Sequence, residues 1–481
     1  MATIKERITQ AMAKAKSLGA DYADIRHKDI SIESIYFERG ILKSVENYRS
    51  QGYGIRVYVD GSMGFAASSD MDKFEETVAE AYATAKASLT LQAQKAVLSP
   101  KEVATATYRT PVKTDPFTVP LGDKLALLGE CYKEMAAVPG IGHNYMGLAF
   151  RKDDVIFADT DGSYIDQYFC QCTNYLGVSA TSEEDNQDRS YINVIRGGYE
   201  TTLGENLPQI AARLAKEVVE LINAPDCPSG EFDLVINPNQ MFLQIHESVG
   251  HPTELDRVLG SEAAFAGRSF LEPGDIEKGL VYGSKHVTLV ADATCDKGLG
   301  TFAYDDEGVP AQNITLVDKG IFKAFQTSRD NAPVVGLPSS GGGLSDGWRN
   351  LPIVRMTNIN MLPGEGTPED LIAGIEYGFL LDQNKSWSID DLRINFQFAC
   401  EVAYEIKDGK LTGRIFKNPI YAGKTTEFWG SCDGVAGPEY WQLIGVPNCG
   451  KGQPMQVMRV SHGSSPSRFR KVKVGVSDVT V

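Results

Sequence analysis

The chain has 481 residues, more than one hydrophobic core usually organises, so we expect about three structural units. Hydrophobic residues make up 42% and 47 residues are glycine, which is typical of a globular protein and excludes disordered, collagenous and membrane classes. The formal net charge of −16 disfavours a polyanionic partner, so we expect no nucleic acid partner.

The cysteines and the first residues indicate where the protein works. Eight cysteines lie far apart and form no CxxC motif, so we expect buried thiols and no disulfide scaffold. The N-terminal residues lack a continuous apolar stretch, and no run of about 18 apolar residues occurs. These features predict a cytoplasmic protein with no membrane partner.

The first predicted unit has helices at both ends. Apolar residues recur at helical spacing over residues 2–18, and Gly19 follows as a helix stop. Strand-type alternation comes next, interrupted by hairpin-type turns at residues 39–40 and 60–61. Helical spacing returns over residues 72–89, so the predicted order is helix, strands, helix.

The same order follows a second time. A helix is predicted over residues 121–135, a group of strands over 145–195 and a closing helix over 208–222. The repeated order suggests an internal duplication, with possible sub-units 1–100 and 110–225.

The predicted fold class is α+β, with two parts. Residues 1–228 are expected to form an N-terminal α/β region with a mixed or antiparallel sheet flanked by helices. After a turn at residues 227–230 the pattern changes to short β runs, so residues 229–481 are expected to form a β-rich, barrel-like domain that carries a metal site. The glycine-rich stretch 339–347 offers little to bury and is predicted to be a mobile loop that acts as a lid.

A possible metal motif follows the first strand of this second part. Asn237 and Pro238 predict the start of a helix. That helix carries His246 and His251 in the pattern HExxxH, one residue longer than the HExxH of common zinc peptidases. At about 100° per residue, this spacing turns the two imidazoles about 140° apart, so a straight α-helix cannot bind one metal with both.

The following residues suggest how the second imidazole could return. Pro252 disfavours the α conformation at His251, and Gly250 permits an abrupt change of backbone direction. We therefore expect His251 on a turn that leaves the helix, close to His246, with Glu247 directed at a metal-bound water. One further protein ligand is then missing.

The sequence leaves the third ligand open. The candidates are the remaining histidines, the thiols and two nearby carboxylates, namely His27, His143, His286, His462, Glu254 and Asp256 besides the cysteines. Cys449 has the most favourable surroundings, because it lies in a glycine loop beside Lys451, whose charge would favour the thiolate. The carboxylates of residues 254–257 are more simply a solvated face, with a role in orienting a ligating imidazole as the alternative.

These residues resemble the TldD/PmbA family of metallopeptidases, in its TldD-like, metal-bearing branch. The resemblance covers most of residues 1–465 and is most specific at four places along the chain. They are residues 246–252, residues 305–312, residues 354–358 with 363–364, and residues 448–451.

The resemblance implies Zn2+ bound by His246, His251 and Cys449, with Glu247 as the catalytic carboxylate. It also implies an unfolded peptide or protein segment as substrate, in leader-peptide trimming or degradation. The expected assembly is a homodimer or a heterodimer with a PmbA/TldE-like subunit that lacks the metal ligands.

The predicted function is therefore a zinc-dependent peptidase with Glu247 as general base, and iron stays open as the metal in vivo. The alternative is a non-catalytic peptide-binding or scaffold subunit of such a dimer, with a structural zinc. A nucleic-acid-associated regulator is a further alternative that the net charge disfavours.

Overall fold

The structure of the chain, a computed structural model, describes residues 3–91, 95–265 and 267–475. It is an α+β protein built around two seven-stranded sheets, which confirms the predicted fold class. Strands before residue 200 form the first sheet, and the strands of the second sheet, like those of three smaller sheets, lie after residue 229. The division into domains at residues 228 and 229 stays a prediction.

The first sheet is mostly antiparallel. Its strands are β1 Tyr22–Glu38, β2 Ile41–Val59, β3 Ser62–Ser68, β4 Thr105–Arg109, β5 His143–Asp159, β6 Tyr164–Thr181 and β7 Asn186–Arg196. The strands β3, β2 and β1 form one antiparallel group, and β5, β6 and β7 form another. The groups join where β1 pairs with β5, and β4 adds to β6 in parallel. The suggested duplication therefore lies within one continuous sheet.

Helices flank this sheet as predicted. They are α1 Ile4–Leu18, α2 Phe74–Ser88, α3 Leu121–Ala136, α4 Tyr199–Leu203 and α5 Leu207–Ile222. Apolar residues at helical spacing, such as Ile8, Met12 and Ala15 in α1, are buried against the strands. The helices α1 and α2 cover one hydrophobic core, and α3 and α5 cover another. No helix in the described ranges combines the length and apolar character needed to cross a bilayer.

The two hairpin turns predicted in the first unit are confirmed. Arg39 and Gly40 have φ angles of 50° and 75°, and Asp60 and Gly61 have φ angles of 47° and 76°. Two consecutive positive φ angles define the turn whose twist matches paired antiparallel strands. These turns fix the register of β1, β2 and β3.

The second part contains a closed barrel. Its strands are β8 Gly230–Ile236, β9 Leu289–Asp292, β10 Asn313–Asp318, β11 Ile321–Phe322, β12 Gly343–Leu344, β13 Ile353–Val354, β14 Ile359–Met361, β15 Tyr377–Ile389, β16 Asn395–Lys407, β17 Lys410–Lys417, β18 Ile420–Lys424, β19 Cys432–Val435, β20 Gln442–Lys451, β21 Gln456–Ser464 and β22 Ser467–Val474. The order β15, β8, β22, β18, β16 returns to β15, which closes five strands into a barrel. The predicted barrel-like domain is thus confirmed.

Short helices connect these strands. They are α6 Pro238–Ile245, α7 Leu255–Val258, α8 Pro368–Ala373 and α9 Thr425–Gly430. The helix α6 starts directly after β8, and its Met241 and Ile245 are fully buried in the same core as the barrel strands. The strands β20 and β21 form a separate two-stranded sheet that contacts α6. The barrel and this small sheet therefore hold α6 between them.

The glycine-rich stretch 339–347 is not a mobile loop, and that prediction is wrong. Residues 341–345 are buried. The backbone amide of Gly343 donates to Asp305, and that of Ser345 donates to Asp306 at 2.7 Å. Asp305 and Asp306 thus accept hydrogen bonds from the backbone amides of this stretch. The small side chains of the stretch leave those amides accessible to the carboxylates.

A buried ionic network connects the first sheet with the second part. Arg56 on β2 binds Asp24 on β1 at 2.7 Å and Glu307 at 2.8 Å, and these side chains are at most 3% exposed. Lys28 on β1 binds Asp306 at 2.7 Å. The acidic residues of the 305–312 motif therefore act here as anchors for the N-terminal strands.

We predict that Arg56→Ala lowers the free energy of unfolding by about 3 to 5 kcal/mol, because it leaves buried Glu307 without its cation and Asp24 with Arg26 alone. Thermal and denaturant unfolding of the full chain measures this change. Arg49→Ala is the matched control, since Arg49 forms an Arg–Asp pair on the same strand but is 66% exposed. Equal effects of the two substitutions would contradict the anchoring role.

Candidate metal centre

The two histidines of the HExxxH motif are aligned by a π-helical turn. After α6 the backbone widens over His246–Gly250, and the amide of His251 donates to the carbonyl of His246, five residues earlier. A hydrogen bond of this span places residue i+5 one turn along from residue i, which a straight α-helix does for i+4. The ring centroids of the two imidazoles are 4.8 Å apart.

The predicted route by which His251 leaves the helix is wrong. His251 has φ −63° and ψ −44°, so it remains in the α region although Pro252 follows. Pro252 lies in a 3-10 turn, His251–Thr253, that continues the helix directly. Widening of the helix, and no reversal of the backbone, brings His251 back to His246.

Side chains stabilise the widened turn through its carbonyl groups. Thr253 Oγ1 donates to the carbonyl of Val249 at 2.8 Å, and Gln326 Nε2 donates to that of Gly250 at 2.8 Å. The hydroxyl of Tyr282 donates to the carbonyl of Ser248. A π turn disturbs the regular i→i−4 ladder, so partners of this kind offset its cost.

Gly250 is needed for space and not for an unusual conformation. Its φ is −57° and its ψ is −63°, which any residue adopts. A Cβ at this position would lie 2.2 Å from Sδ of Met356, well inside contact distance. The turn therefore packs against the segment 354–358 through the missing side chain.

His246 is oriented by a second histidine. Its Nδ1 lies 2.7 Å from Nε2 of His462, whose Nδ1 lies 3.1 Å from the carbonyl of Ile359. A carbonyl only accepts, so His462 donates through Nδ1 and accepts through Nε2, and His246 must donate through Nδ1. Burial, and then the neighbouring His246, hold the pKa of His462 well below its usual value. The Nε2 of His246 is thus left as a lone-pair donor.

His251 is oriented by a carboxylate in the same manner. Its Nδ1 lies 3.0 Å from Oε2 of Glu254, which is fully buried. Burial by itself would raise the pKa of Glu254, but the charges of Lys451, His251 and Arg257 outweigh it and hold the pKa well below its usual value. The interpretation of Glu254 as part of a solvated face is wrong, and the orienting role is what the structure shows.

Cys449 lies beside the two histidines although it is about 200 residues away. It is on β20, opposite Met458 of β21, and its Sγ is 3.7 Å from Nε2 of His251. One ligand atom from each of His246, His251 and Cys449 lies within 4.8 Å of the others, and all three residues are buried. The carboxylate of Glu254 and the imidazole of His462 contact the Nδ1 atoms of His251 and His246, respectively.

The surroundings of Cys449 favour its thiolate. Burial would raise its pKa, but Arg355 and His251 outweigh burial, so the pKa lies below its usual value. Lys451, expected to favour the thiolate, instead binds Asp256 at 2.6 Å and the carbonyl of Val354 at 2.7 Å. The predicted surroundings are electropositive as expected, but a different cation provides the charge.

Glu247 follows His246 on the π turn and is 7% exposed. Its Oε2 lies 2.7 Å from Nη1 of Arg393, in the connection between β15 and β16. Burial lowers the pKa of His246, and the negative charge of Glu247 opposes this effect without outweighing it. A carboxylate and a guanidinium therefore stand beside the histidine cluster.

The other candidate ligands lie elsewhere or have other partners. His143 binds Glu38 at 2.7 Å, and His27 lies on β1 beside Gln51. His286 is exposed. In the described part of the chain, the only group of three potential metal ligands is therefore that of His246, His251 and Cys449.

The donor set suits a zinc ion. Tetrahedral zinc with Zn–N of about 2.0 to 2.1 Å and Zn–S of about 2.3 Å requires a nitrogen–sulfur separation of about 3.6 Å. The separation of 3.7 Å between His251 and Cys449 agrees with that value. Burial lowers the pKa values of both His246 and His251 and so favours the neutral, ligating form.

Fold and site together define a barrel-containing protein with a buried His–His–Cys cluster. The sequence model described as PmbA/TldA metallopeptidase C-terminal domain matches residues 229–475, and that of domain 1 of the same family matches residues 23–87. The chain therefore belongs to the PmbA/TldD family of metallopeptidases.

Individual relatives match over nearly their whole length. A metalloprotease of Methanocaldococcus jannaschii is 27% identical over 91% of this chain and 94% of its own. A zinc metalloprotease TldD homolog of Saccharolobus solfataricus is 22% identical over 96% and 98%. The crystal structure of TldE from Thermococcus kodakarensis has the same fold, with a TM-score of 0.77 and 17% identity over 98% of this chain and 100% of that one.

We predict that Gly250→Ala destabilises the protein by about 1 to 3 kcal/mol, because the added methyl group overpacks the contact with Met356. Unfolding curves measure the loss. Gly129→Ala is the matched control, since Gly129 lies inside α3 with no atom near its Cβ position, and it should gain about 0.5 to 1 kcal/mol.

A double-mutant cycle with Met356→Ala tests the cause of that loss. The penalty of Gly250→Ala should be smaller in the Met356→Ala background, since the clashing atoms are then gone. An unchanged penalty would show that Gly250 serves the backbone conformation and not the packing.

Proposed function

We propose that the protein is a zinc-dependent peptidase that hydrolyses unfolded peptides or protein segments. The observation that carries the proposal is the buried cluster in which two oriented imidazoles and one thiol converge. Three protein ligands are the number that catalytic zinc sites use, whereas structural sites use four. Membership of a metallopeptidase family supports the same class of reaction.

In this proposal His246, His251 and Cys449 hold the metal. Bound zinc polarises a carbonyl group and lowers the pKa of water. His462 and Glu254 accept hydrogen bonds from Nδ1 of His246 and of His251, and so keep both imidazoles in the ligating tautomer.

Glu247 is proposed to accept a proton from the attacking water and to return it to the leaving nitrogen. It is an immediate neighbour of His246, and it is little exposed. Arg393 fixes one of its oxygens through the 2.7 Å contact, which leaves the other to take the proton. Arg393 is then a positioning residue for Glu247.

The substrate is proposed to bind as an extended strand. Cys449 lies on a two-stranded sheet, β20 and β21, so strand edges stand next to the proposed metal site. Pairing with such an edge reads the peptide backbone and tolerates many sequences, but it requires an unfolded substrate. A peptide-bound structure without main-chain pairing to a strand would contradict this mode.

For assembly we propose a homodimer or a heterodimer with a PmbA/TldE-like subunit, working in the cytoplasm. The likeness of this fold to a TldE structure supports a partner of the same architecture. Light scattering of the chain alone and of the mixture with such a subunit measures the assembly. The function is therefore tested with both preparations.

We predict one zinc ion per chain and digestion of an unfolded polypeptide that stops when a chelator removes the metal. Cys449→Ala should weaken zinc binding by more than about 100-fold, since even groups that only orient a ligand cost about 10- to 100-fold. Metal analysis and competition with a chromophoric chelator measure it. Cys400→Ala, at a fully buried thiol of the barrel, should retain zinc.

Full digestion by the metal-free protein would overturn the zinc-dependent reaction. Undiminished zinc in Cys449→Ala would instead remove the thiol from the ligand set.

We predict that Glu247→Gln keeps its zinc but lowers kcat by at least about 100-fold, because general acid and base catalysis contributes about 10² to 10⁴. Initial rates of peptide hydrolysis and metal content are measured on the same sample. Glu401→Gln is the matched control, a buried glutamate that binds Arg189 at 2.8 Å. An active Glu247→Gln variant would favour another base, and an inactive but zinc-bearing wild type would favour the scaffold alternative.

A further inference from the structure

A small cavity with arginine side chains lies between the first sheet and the second part of the chain. Its volume is about 70 Å³. Arg151 on β5, Arg196 on β7 and Arg459 on β21 line it from three directions. One water needs about 10 to 15 Å³ of such volume, so the cavity holds a few waters or one small oxyanion.

Positive charge exceeds negative charge in the lining. Lys28 is paired with Asp306 at 2.7 Å, and Arg151 is paired with Asp153 at 2.8 Å. These are the two carboxylates among the lining residues. The charges of Arg196 and Arg459 are therefore in excess.

Neither of these two arginines has a close carboxylate partner. Arg196 donates to the carbonyl groups of Leu299 and Thr301, stacks over Phe169 at 4.5 Å, and its buried Nε has no hydrogen-bond partner among the described residues. Arg459 is 15% exposed and lies 4.0 Å from Asp153, whose carboxylate already accepts two bonds from Arg151.

The electrostatics of the cavity agree with that excess. Burial, together with the charge of Arg151, lowers the pKa of Arg196 and of Arg459 to about 10, although Asp153 opposes this at both. Asp346 opposes this at Arg459, but its carboxylate accepts the amide of Val457 at 2.9 Å. An anion in the cavity would offset the repulsion, as guanidinium groups bind carboxylate and phosphate with paired hydrogen bonds.

We propose that this cavity binds an oxyanion, and that during proteolysis this oxyanion is a carboxylate of the peptide substrate. The second half rests on the proposed peptidase function. The connection to the metal centre is the β20–β21 hairpin, because Met458 lines the cavity and pairs directly with Cys449. An acidic group held here would place the neighbouring peptide residues beside that hairpin.

Binding of an oxyanion is tested without any activity, by thermal unfolding of the full chain in phosphate and in chloride at equal ionic strength. Phosphate at about ten times its Kd should raise the Tm by about 2 °C. Arg459→Gln should lose this rise. Arg414→Gln should keep it, since Arg414 has a comparable 3.9 Å contact with Glu405 but lies on β17, which does not line the cavity. No phosphate-specific rise in the wild type, or an equal rise in Arg459→Gln, would overturn the site.

The identity of the oxyanion is tested with peptide pairs that differ only as Glu against Gln, or as terminal carboxylate against terminal amide. In one of these pairs the wild type should prefer the acidic peptide by about 10-fold in kcat/KM, since hydrogen bonds to charged groups are stronger than those between neutral groups. Arg459→Gln should lose the preference, with kcat/KM for the acidic peptide falling to that for its neutral counterpart. A phosphate effect with no acidic preference would assign the cavity to free phosphate and contradict the substrate carboxylate.

Discussion

The metal centre depends on one hydrogen bond, from the amide of His251 to the carbonyl of His246. It closes a turn of five residues and so places two imidazoles on one side of a helix that would otherwise separate them. Such a turn is costly because neighbouring carbonyl groups lose regular partners. Tyr282, Thr253 and Gln326 supply replacements, so the surrounding fold over-determines a locally unfavourable backbone.

The two imidazoles of the cluster are also oriented by hydrogen bonds on the side away from Cys449. His462 and Glu254 face the ring nitrogens that point away from Cys449, and each fixes one tautomer. Glu254 in turn lies 3.3 Å from Lys451, which binds Asp256. A buried network of this kind is favourable only when its members are satisfied together, which explains why so many charged groups surround one small site.

Much of the fold follows from local patterns in the sequence. The helices α1, α2, α3 and α5 lie within a few residues of their predicted bounds, because each buries one apolar stripe. The two hairpin turns were predictable from paired residues that tolerate positive φ, most clearly Asp60 with Gly61. Barrel closure was predictable only as a β-rich tendency, since it depends on the pairing of β8 with β15 and β22, which lie far along the chain.

Several features of the site could not be predicted from local sequence patterns. The HExxxH spacing indicated a departure from a regular helix, but Pro252 suggested a turn where the structure has a widened helix. The orienting role of His462 and the burial of segment 339–347 had no signal in the spacing, because their partners are distant in sequence. Long-range contacts decided both.

The central claim is that two imidazoles and one thiol share a zinc ion. X-ray absorption spectroscopy of the zinc-loaded full chain tests it most directly, since it counts sulfur and nitrogen neighbours. The account predicts one sulfur at about 2.3 Å and two imidazole nitrogens at about 2.0 to 2.1 Å. A zinc ion without a sulfur neighbour, or with several, would contradict it.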